Sequence, residues 1–550
     1  MSNSNDLNKK SNTNSDSNPN VVLFYPQLGW MDTFILDLPL SLIYVAFDCY
    51  KNGIEVRIVD QRIEKTNWKK ALSNAIDENT TLVGFSVMSG NPILNALEAT
   101  KFVKEKFPSI ITVWGGMHVT ICPKEVIEDV NIDYIIRGLA SKSLYKLICF
   151  LTSKTFNNSN SLAITEIEGL GYKIDNKVHM NEMSTTTEYP SLNELNFSGV
   201  TLDNYTRFNY KDKVYSLFTS FGCPHKCRFC FAPIFWKDIK GKKWFPYKED
   251  EVISHIVYMI KTHNIGYVSL LDENFFLDLK RAENILRGIL NAGVKVSWGI
   301  RGARVDDLAR MSDEMLALLE EIGVRQIMIG AESGSDRMLQ LMKKGITVDQ
   351  IILANKKLSH FPSINPSYNF LSGLPDENSE DIYKTAKLAD QLIRDNPNAS
   401  FSGLNQLIPF PGSELYDRCI ELGHIPPKNL SDWGKVDTHY NKGKTPWIDK
   451  KTKNTLQSVQ AALMFIDKKI ARELIISSNS NNNSSSSNSS SKVALSKKFI
   501  YASIILAGKL YRPFALFRVR HSFFKFPVDY FFIKLGVTAM ETFSKSTSRK

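Results

Sequence analysis

No stretch of the chain reaches the roughly 18 consecutive apolar residues that a membrane-spanning helix needs. That argues against a helical membrane span. Cysteine is scarce: seven in 550 residues, an odd number, with three clustered and four scattered. A disulfide framework shows an even set at regular spacing, so the chain reads as a protein of a reducing compartment, the cytoplasm. Residues 1–20 have no apolar centre and are rich in Asn and Ser. They cannot form a signal peptide and read as a disordered polar arm. Acidic residues are nearly missing from 492–550, where twelve Lys and Arg face two Asp and Glu, a net of +10 against +11 for the whole chain. The rest is close to neutral, so a basic nucleic-acid-binding body is disfavoured.

What is present is a repeated alternation of apolar strands and amphipathic helices. The first series covers 21–152, with strands near Val21–Tyr25, Ile54–Val59, Thr81–Ser86, Ile110–Trp114 and Tyr134–Ile136. Five buried strands separated by helices indicate an α/β, doubly wound, Rossmann-like domain. Such sheets bind ligands at the carboxyl ends of their strands, here Ser86-Val87-Met88-Ser89 and Gly115-Gly116-Met117-His118. Residues 153–210 read as a connector with a small hairpin. A second series over 211–435 has six strand–helix units and suggests a partial or full β/α barrel, whose active site lies at the strand carboxyl ends. Then come a helical extension over 436–476, a Ser/Asn linker over 477–491 and a basic tail over 492–550 with twelve aromatics.

The first strand of the second series runs into Gly222-Cys223-Pro224-His225-Lys226-Cys227-Arg228-Phe229-Cys230. Gly222 and Pro224 force a loop. Three thiolates on one tight loop can hold three irons of a cubane cluster and leave the fourth iron open. The competing reading is a structural zinc site, which needs a fourth ligand such as His225.

The Cys-x-x-x-Cys-x-x-Cys spacing, with an aromatic before the last cysteine, resembles the signature of the radical S-adenosylmethionine (SAM) superfamily. Preceded by an α/β domain with Gly115-Gly116-x-His118, the chain resembles its cobalamin (B12)-binding members over roughly residues 20–435. Asp272-Glu273-Asn274-Phe275, Gly330-Ala331-Glu332-Ser333-Gly334, Gly373-Leu374-Pro375 and Pro409-Phe410-Pro411-Gly412 recur in the matching order. The resemblance implies that Cys223, Cys227 and Cys230 ligate a [4Fe–4S] cluster whose open iron chelates SAM. It implies reductive cleavage to a 5′-deoxyadenosyl radical. Phe229, Asp272, Glu332, Ser333 and Gly373 would contact SAM, and Arg301 would pair with its carboxylate. Asp272 and Glu273 read alternatively as strand-end caps, and Arg301 as the partner of Asp306 or Glu332.

By the same resemblance Ser86, Ser89, Gly115, Gly116 and His118 line the nucleotide tail of cobalamin; a satisfied structural histidine is the other reading of His118. Two departures stand out. No Asp-x-His-x-x-Gly motif is present, and Arg137-Gly138-Leu139-Ala140-Ser141 stands where the family commonly has Arg-Gly-Glu-Gly-Glu. The implied activity is cobalamin-dependent methylation of an unreactive carbon on a lipid-like or other hydrophobic substrate. Radical cyclisation with a non-catalytic B12-like domain is the enzyme alternative, and a non-enzymatic iron–sulfur protein the other. A ferredoxin or flavodoxin would supply electrons. The tail suits peripheral contact with the inner face of a membrane or, equally, packing on the barrel.

Overall fold

The computed structural model describes residues 19–29, 32, 36–156, 163–185, 187–207, 210–436, 445–467 and 509–524. The polar arm up to residue 18, the Ser/Asn linker at 477–491 and most of the basic tail lie outside the described residues.

The first sheet contains β1 (Asn20–Tyr25), β2 (Glu55–Asp60), β3 (Thr80–Ser86), β4 (Ile111–Gly115), β5 (Tyr134–Ile136), β6 (Leu170–Ile174) and β7 (Lys177–Met180). Their order is β2-β1-β3-β4-β5-β6-β7. The first five run parallel, and β6 and β7 join antiparallel. The hairpin read as part of a connector therefore completes this sheet. Side chains alternate between two cores, as the two-residue period of a strand requires. Val22, Phe24, Val83, Phe85 and Trp114 fill one face. Val21, Leu23, Leu82 and Val113 fill the other. Burial on both faces is why these strands read as continuous apolar runs.

The second sheet contains β8 (Thr206–Arg207), β9 (Tyr210–Leu217), β12 (Ile265–Leu270), β13 (Ser297–Arg304), β14 (Val324–Glu332), β15 (Asn365–Ser372) and β16 (Ser400–Gln406). The short pair β10 (Ser220–Phe221) and β11 (Phe245–Pro246) stands apart from it. The order is β16-β15-β14-β13-β12-β9-β8, six parallel strands with β8 antiparallel at one edge. Of the two barrel readings, the partial one holds. β13 extends to Arg304, five residues past the sequence-based end at Gly299, so Arg301 lies within a strand rather than after it.

The two units share elements. The helix Leu40–Val45 places Leu42 in the first core and Leu40 and Ile43 in the second. The Tyr205 hydroxyl donates to Asp60 at 3.1 Å, and Arg301 pairs with Asp37 at 2.6 Å. In return, Leu430 and Trp433, past the end of the second sheet, enter the first unit's core. The helix at 509–520 packs Ala515 and Val519 on the second core, and Phe524 stacks on Tyr383 at 5.7 Å. Arg520 pairs with Asp390 at 2.9 Å. The described part of the tail thus packs on the second unit. Among the described residues no helix is long and apolar enough to cross a membrane.

Candidate functional site

The cysteine loop hangs from a buried polar knot. Asp272 follows β12 and accepts from the Thr219 N–H at 2.7 Å, the Thr219 hydroxyl at 2.6 Å and the Ser220 hydroxyl at 2.6 Å. Arg281 donates from Nη2 to the Thr219 carbonyl at 2.7 Å. Burial raises the Asp272 carboxyl, and these donors pull it part of the way back. The oxygens expected to meet a cofactor are therefore spent on the strand end, and Asp272 positions the loop. Gly222 comes next at φ +82, where a Cβ would lie 2.3 Å from the Lys243 carbonyl oxygen, so glycine is required. The Gly222 N–H donates to Glu273 at 3.2 Å. A second anchor ties the Arg228 N–H to the Met342 carbonyl at 3.0 Å.

Cys227 is buried, whereas Cys223 and Cys230 are half-buried; all three are free thiols. Burial pushes Cys230 up to about 12 and raises Cys223 as well. Such thiols stay neutral unless a cation compensates them. Among the described residues no three His, Cys, Asp or Glu side chains converge on a single ion. A cubane takes one thiolate per iron, so its ligands stand apart. Three thiols on one loop match three irons that take one thiolate each, whereas a structural zinc needs a fourth ligand.

Two buried cations missed by the sequence reading flank the loop. Arg304 points Nη1 at Cys227 Sγ at 3.9 Å, donates from Nη2 to the Lys344 carbonyl at 2.6 Å and pairs through Nε with Asp306 at 2.9 Å. Lys344 pairs with Glu332 at 2.7 Å and sits 6.0 Å from the Phe229 ring centre. Glu332 adopts φ +61, a left-handed backbone that is costly for a non-glycine residue. Their signal was faint: Arg304 lay beyond the predicted strand end, and Lys344 follows a short helix. Glu273, held near 7 mainly by burial, lies close enough to Cys223 for its charge to raise that thiol.

Other expected contacts point elsewhere. Ser333 is fully buried, with its hydroxyl 3.2 Å from that of Thr385. Arg301 is engaged by Asp37 rather than by Asp306 or Glu332, because the loop before Leu40 reaches across from the first unit. Gly373 donates to Glu377 at 2.5 Å, and its carbonyl accepts from Trp447 Nε1 at 2.7 Å.

In the first unit, the ends of β3 and β4 are tied together. The Val87 N–H donates to the Gly115 carbonyl at 2.9 Å, and the His118 N–H to the Val87 carbonyl at 3.1 Å. A Cβ on Gly116, at φ +99, would fall 2.8 Å from the Val87 backbone. The Ser89 hydroxyl lies 3.0 Å from His118 Nδ1, while Ser86 is 2.8 Å from Ser41 instead. His118 is fully buried and its Nε2 has no partner. A buried, unsatisfied ring nitrogen beside a hydroxyl fits the tail of a bound nucleotide-like group. Asp437-Thr438-His439 repeats half of the Asp-x-His-x-x-Gly pattern, but Lys442 replaces its glycine, and these residues lie outside the described ones.

A small cleft close to the loop is lined by residues of both units. Arg137, Gly138 and Leu139, after β5, line one side; Phe235, Trp236 and Asp238, after the cysteine loop, line the other. Leu139 packs in the same apolar cluster as Cys223 and Cys230.

Burial of neutral His118 has a measurable consequence. Its pKa falls to about 4 from 6.5 because desolvation disfavours the imidazolium. The unfolded chain therefore binds a proton that the folded chain refuses between pH 6.5 and 4, and stability falls as pH falls through that window. The loss is on the order of 3 kcal/mol. Thermal melts from pH 7 to 4 should show this acid limb, to which His255, also lowered to about 4 by burial, contributes as well; His118→Asn should make the limb shallower, and an identical limb in the variant would contradict the assignment.

The family model of the radical SAM superfamily matches residues 217–389, and that of the B12 binding domain matches residues 38–148. An uncharacterised methyltransferase of Pyrococcus horikoshii is 26% identical over 405 residues, 72% of this chain and 82% of that protein. The anaerobic magnesium-protoporphyrin IX monomethyl ester cyclase of Rubrivivax gelatinosus is 26% identical over 338 residues, 60% of this chain and 56% of that protein. Among solved structures, the radical S-adenosylmethionine methyltransferase TsrM of Kitasatospora setae, with cobalamin and a [4Fe–4S] cluster bound, aligns at a TM-score of 0.61 and 18% identity, covering 82% of this chain and 95% of TsrM. The cysteine loop at the mouth of a partial β/α barrel and the α/β unit ahead of it place this chain in the radical SAM superfamily, among the members that carry a B12 binding domain.

Proposed function

We propose that the chain methylates an unreactive carbon of a small hydrophobic molecule, using a [4Fe–4S] cluster, SAM and cobalamin. One observation carries this reading: Leu139, just after β5 of the first unit, packs in one apolar cluster with Cys223 and Cys230 and lines a cleft with Phe235 and Trp236. Chemistry started at the loop can there act on a substrate that also faces the first unit. When bound, the cluster and SAM supply a hydrogen-abstracting carbon radical, and cobalamin supplies a methyl group.

The chain's own residues divide the remaining work. Cys223, Cys227 and Cys230 hold the irons. Arg304 and Lys344 offer N–H donors to the SAM carboxylate, and Glu332, fixed by Lys344, faces its ammonium. Phe229 forms an apolar wall. Asp272 positions the loop from behind. Leu139, Phe235 and Trp236 exclude water from the cleft. Gly116, Ser89 and His118 hold the cobalamin tail. A one-electron donor such as ferredoxin or flavodoxin completes the cycle.

The cyclase relative gives ring formation as a second reading. Methyl transfer releases S-adenosylhomocysteine and a product one methyl heavier; cyclisation releases neither, so mass spectrometry of turnover mixtures separates them.

Anaerobically reconstituted protein should bind about four irons per chain and cleave SAM reductively to 5′-deoxyadenosine. Cys227→Ala should lose most of that iron and cleave at background level; full cleavage by the variant defeats the cluster assignment. Arg304→Gln should keep its iron but raise the KM for SAM about tenfold or more, read from 5′-deoxyadenosine formation. An unchanged KM removes Arg304 from SAM recognition.

We further propose peripheral membrane contact through the exposed stripe Leu510, Phe514 and Phe517, on the face of the 509–520 helix opposite Ala515 and Val519. Full-length protein should float with anionic liposomes. Replacing all three residues by serine should leave it in the soluble fraction, and equal flotation would rule the stripe out.

A further inference from the structure

The segment 429–436 belongs in sequence to the end of the second unit but is built into the first. Asn429 caps its helical turn, accepting from the Asp432 N–H at 2.9 Å. Leu430 and Trp433 enter the core that holds Phe85, Trp114 and Val119. The fit is close: a Cβ on Gly434 would fall 2.5 Å from the Leu94 side chain. A Cβ on Gly90 would fall 2.9 Å from the Val436 carbonyl. Gly90 directly follows the Ser86–Ser89 turn, so the arm lies against the carboxyl end of β3.

The Trp433 ring meets the His118 ring edge to face at 5.4 Å. Trp433 is 2% exposed and His118 0%. Trp433 Nε1 and His118 Nε2 both lack a hydrogen-bond partner. A lone buried donor costs about 1–3 kcal/mol, and native interiors contain few of them. Here two share one ring contact, in a fold whose strand ends take ligands at this place. In the tautomer that accepts from Ser89 at Nδ1, neutral His118 carries its proton on Nε2. The contact then presents two N–H donors and no acceptor, which calls for a ligand rich in acceptor oxygens or ring nitrogens. A corrinoid tail supplies these through its phosphate, ribose and heterocyclic base.

We propose that the arm 429–436 completes the cobalamin-tail site of the first unit, with the Trp433 and His118 ring N–H groups as donors to that tail. This rests on the cobalamin reading above and adds a wall that the B12 binding domain does not itself contain. It also makes retention of the corrinoid depend on a segment from the far side of the SAM domain.

The experiment titrates hydroxocobalamin into the full-length, iron-loaded protein under anaerobic conditions. Bound corrinoid is read by absorption and by cobalt content after gel filtration. Trp433→Phe keeps the ring but loses the N–H, and should weaken corrinoid binding about tenfold while iron content and melting temperature stay at wild-type values. Trp433→Ala should weaken it further. If the wild type binds and both variants bind with the same Kd, the arm has no part in the site and the proposal is overturned. A wild type that takes up no corrinoid overturns the cobalamin reading, and this proposal with it, whereas SAM cleavage at the cysteine loop would stand.

Discussion

The candidate site depends on one buried carboxylate. Asp272 gathers the Thr219 amide, the Thr219 hydroxyl and the Ser220 hydroxyl at the point where β9 hands over to the cysteine loop. Each donor would cost about 1–3 kcal/mol if left buried and unpaired. The handover therefore has one satisfied arrangement, and the loop departs from a fixed point in a fixed direction. Gly222 turns the chain there, and the Arg228 amide pins it again on Met342. Cys223 and Cys227 lie between the two pins and Cys230 just beyond the second. The loop holds three thiols in place because its ends are held, although its own side chains make few bonds.

Charge around the loop is arranged for a guest. Two thiols are raised by burial, so the loop by itself carries little negative charge. Yet Arg304 and Lys344 are buried beside it. Burying two cations is costly unless each is paired, and each has one carboxylate, Asp306 and Glu332. Both retain donor capacity beyond those pairs, since a guanidinium has five N–H groups and an ammonium three. Thiolates made anionic by bound iron, and the carboxylate of a bound amino acid, are the partners that would use it.

Both sheets were legible in the sequence because buried parallel strands alternate with helices at readable periods. The cysteine loop was legible because its chemistry is local: three residues, four and three apart, on one turn. Partnerships were not. Asp272 read either as a cofactor contact or as a strand-end cap, and its hydrogen bonds are those of the cap; Ser333 read as a cofactor contact and faces Thr385. Arg301 meets Asp37 because a loop crosses from the other unit, which no period encodes. Arg304 was missed because β13 continues past Gly299 through an irregular register, with shifts on both sides of Ile300. Residues 429–436 looked like the end of the barrel, since nothing in Leu430 or Trp433 says which core they fill.

That last point bears on how the two units work together. Each lends the other an apolar anchor: Leu40 and Ile43 go one way, Leu430 and Trp433 the other. Exchanged anchors resist separation better than a flat interface, because parting the units exposes apolar surface on both sides of each anchor. The cleft between Leu139 and Trp236 therefore has a width set by packing rather than by hinge motion. Arg137, Glu168 and Asp238 are its charged residues, and Leu139, Met183, Phe235, Trp236 and Ile239 give it apolar surface. The aliphatic Leu139, in one apolar cluster with Cys223 and Cys230, would offer an apolar edge to the hydrophobic substrate proposed above.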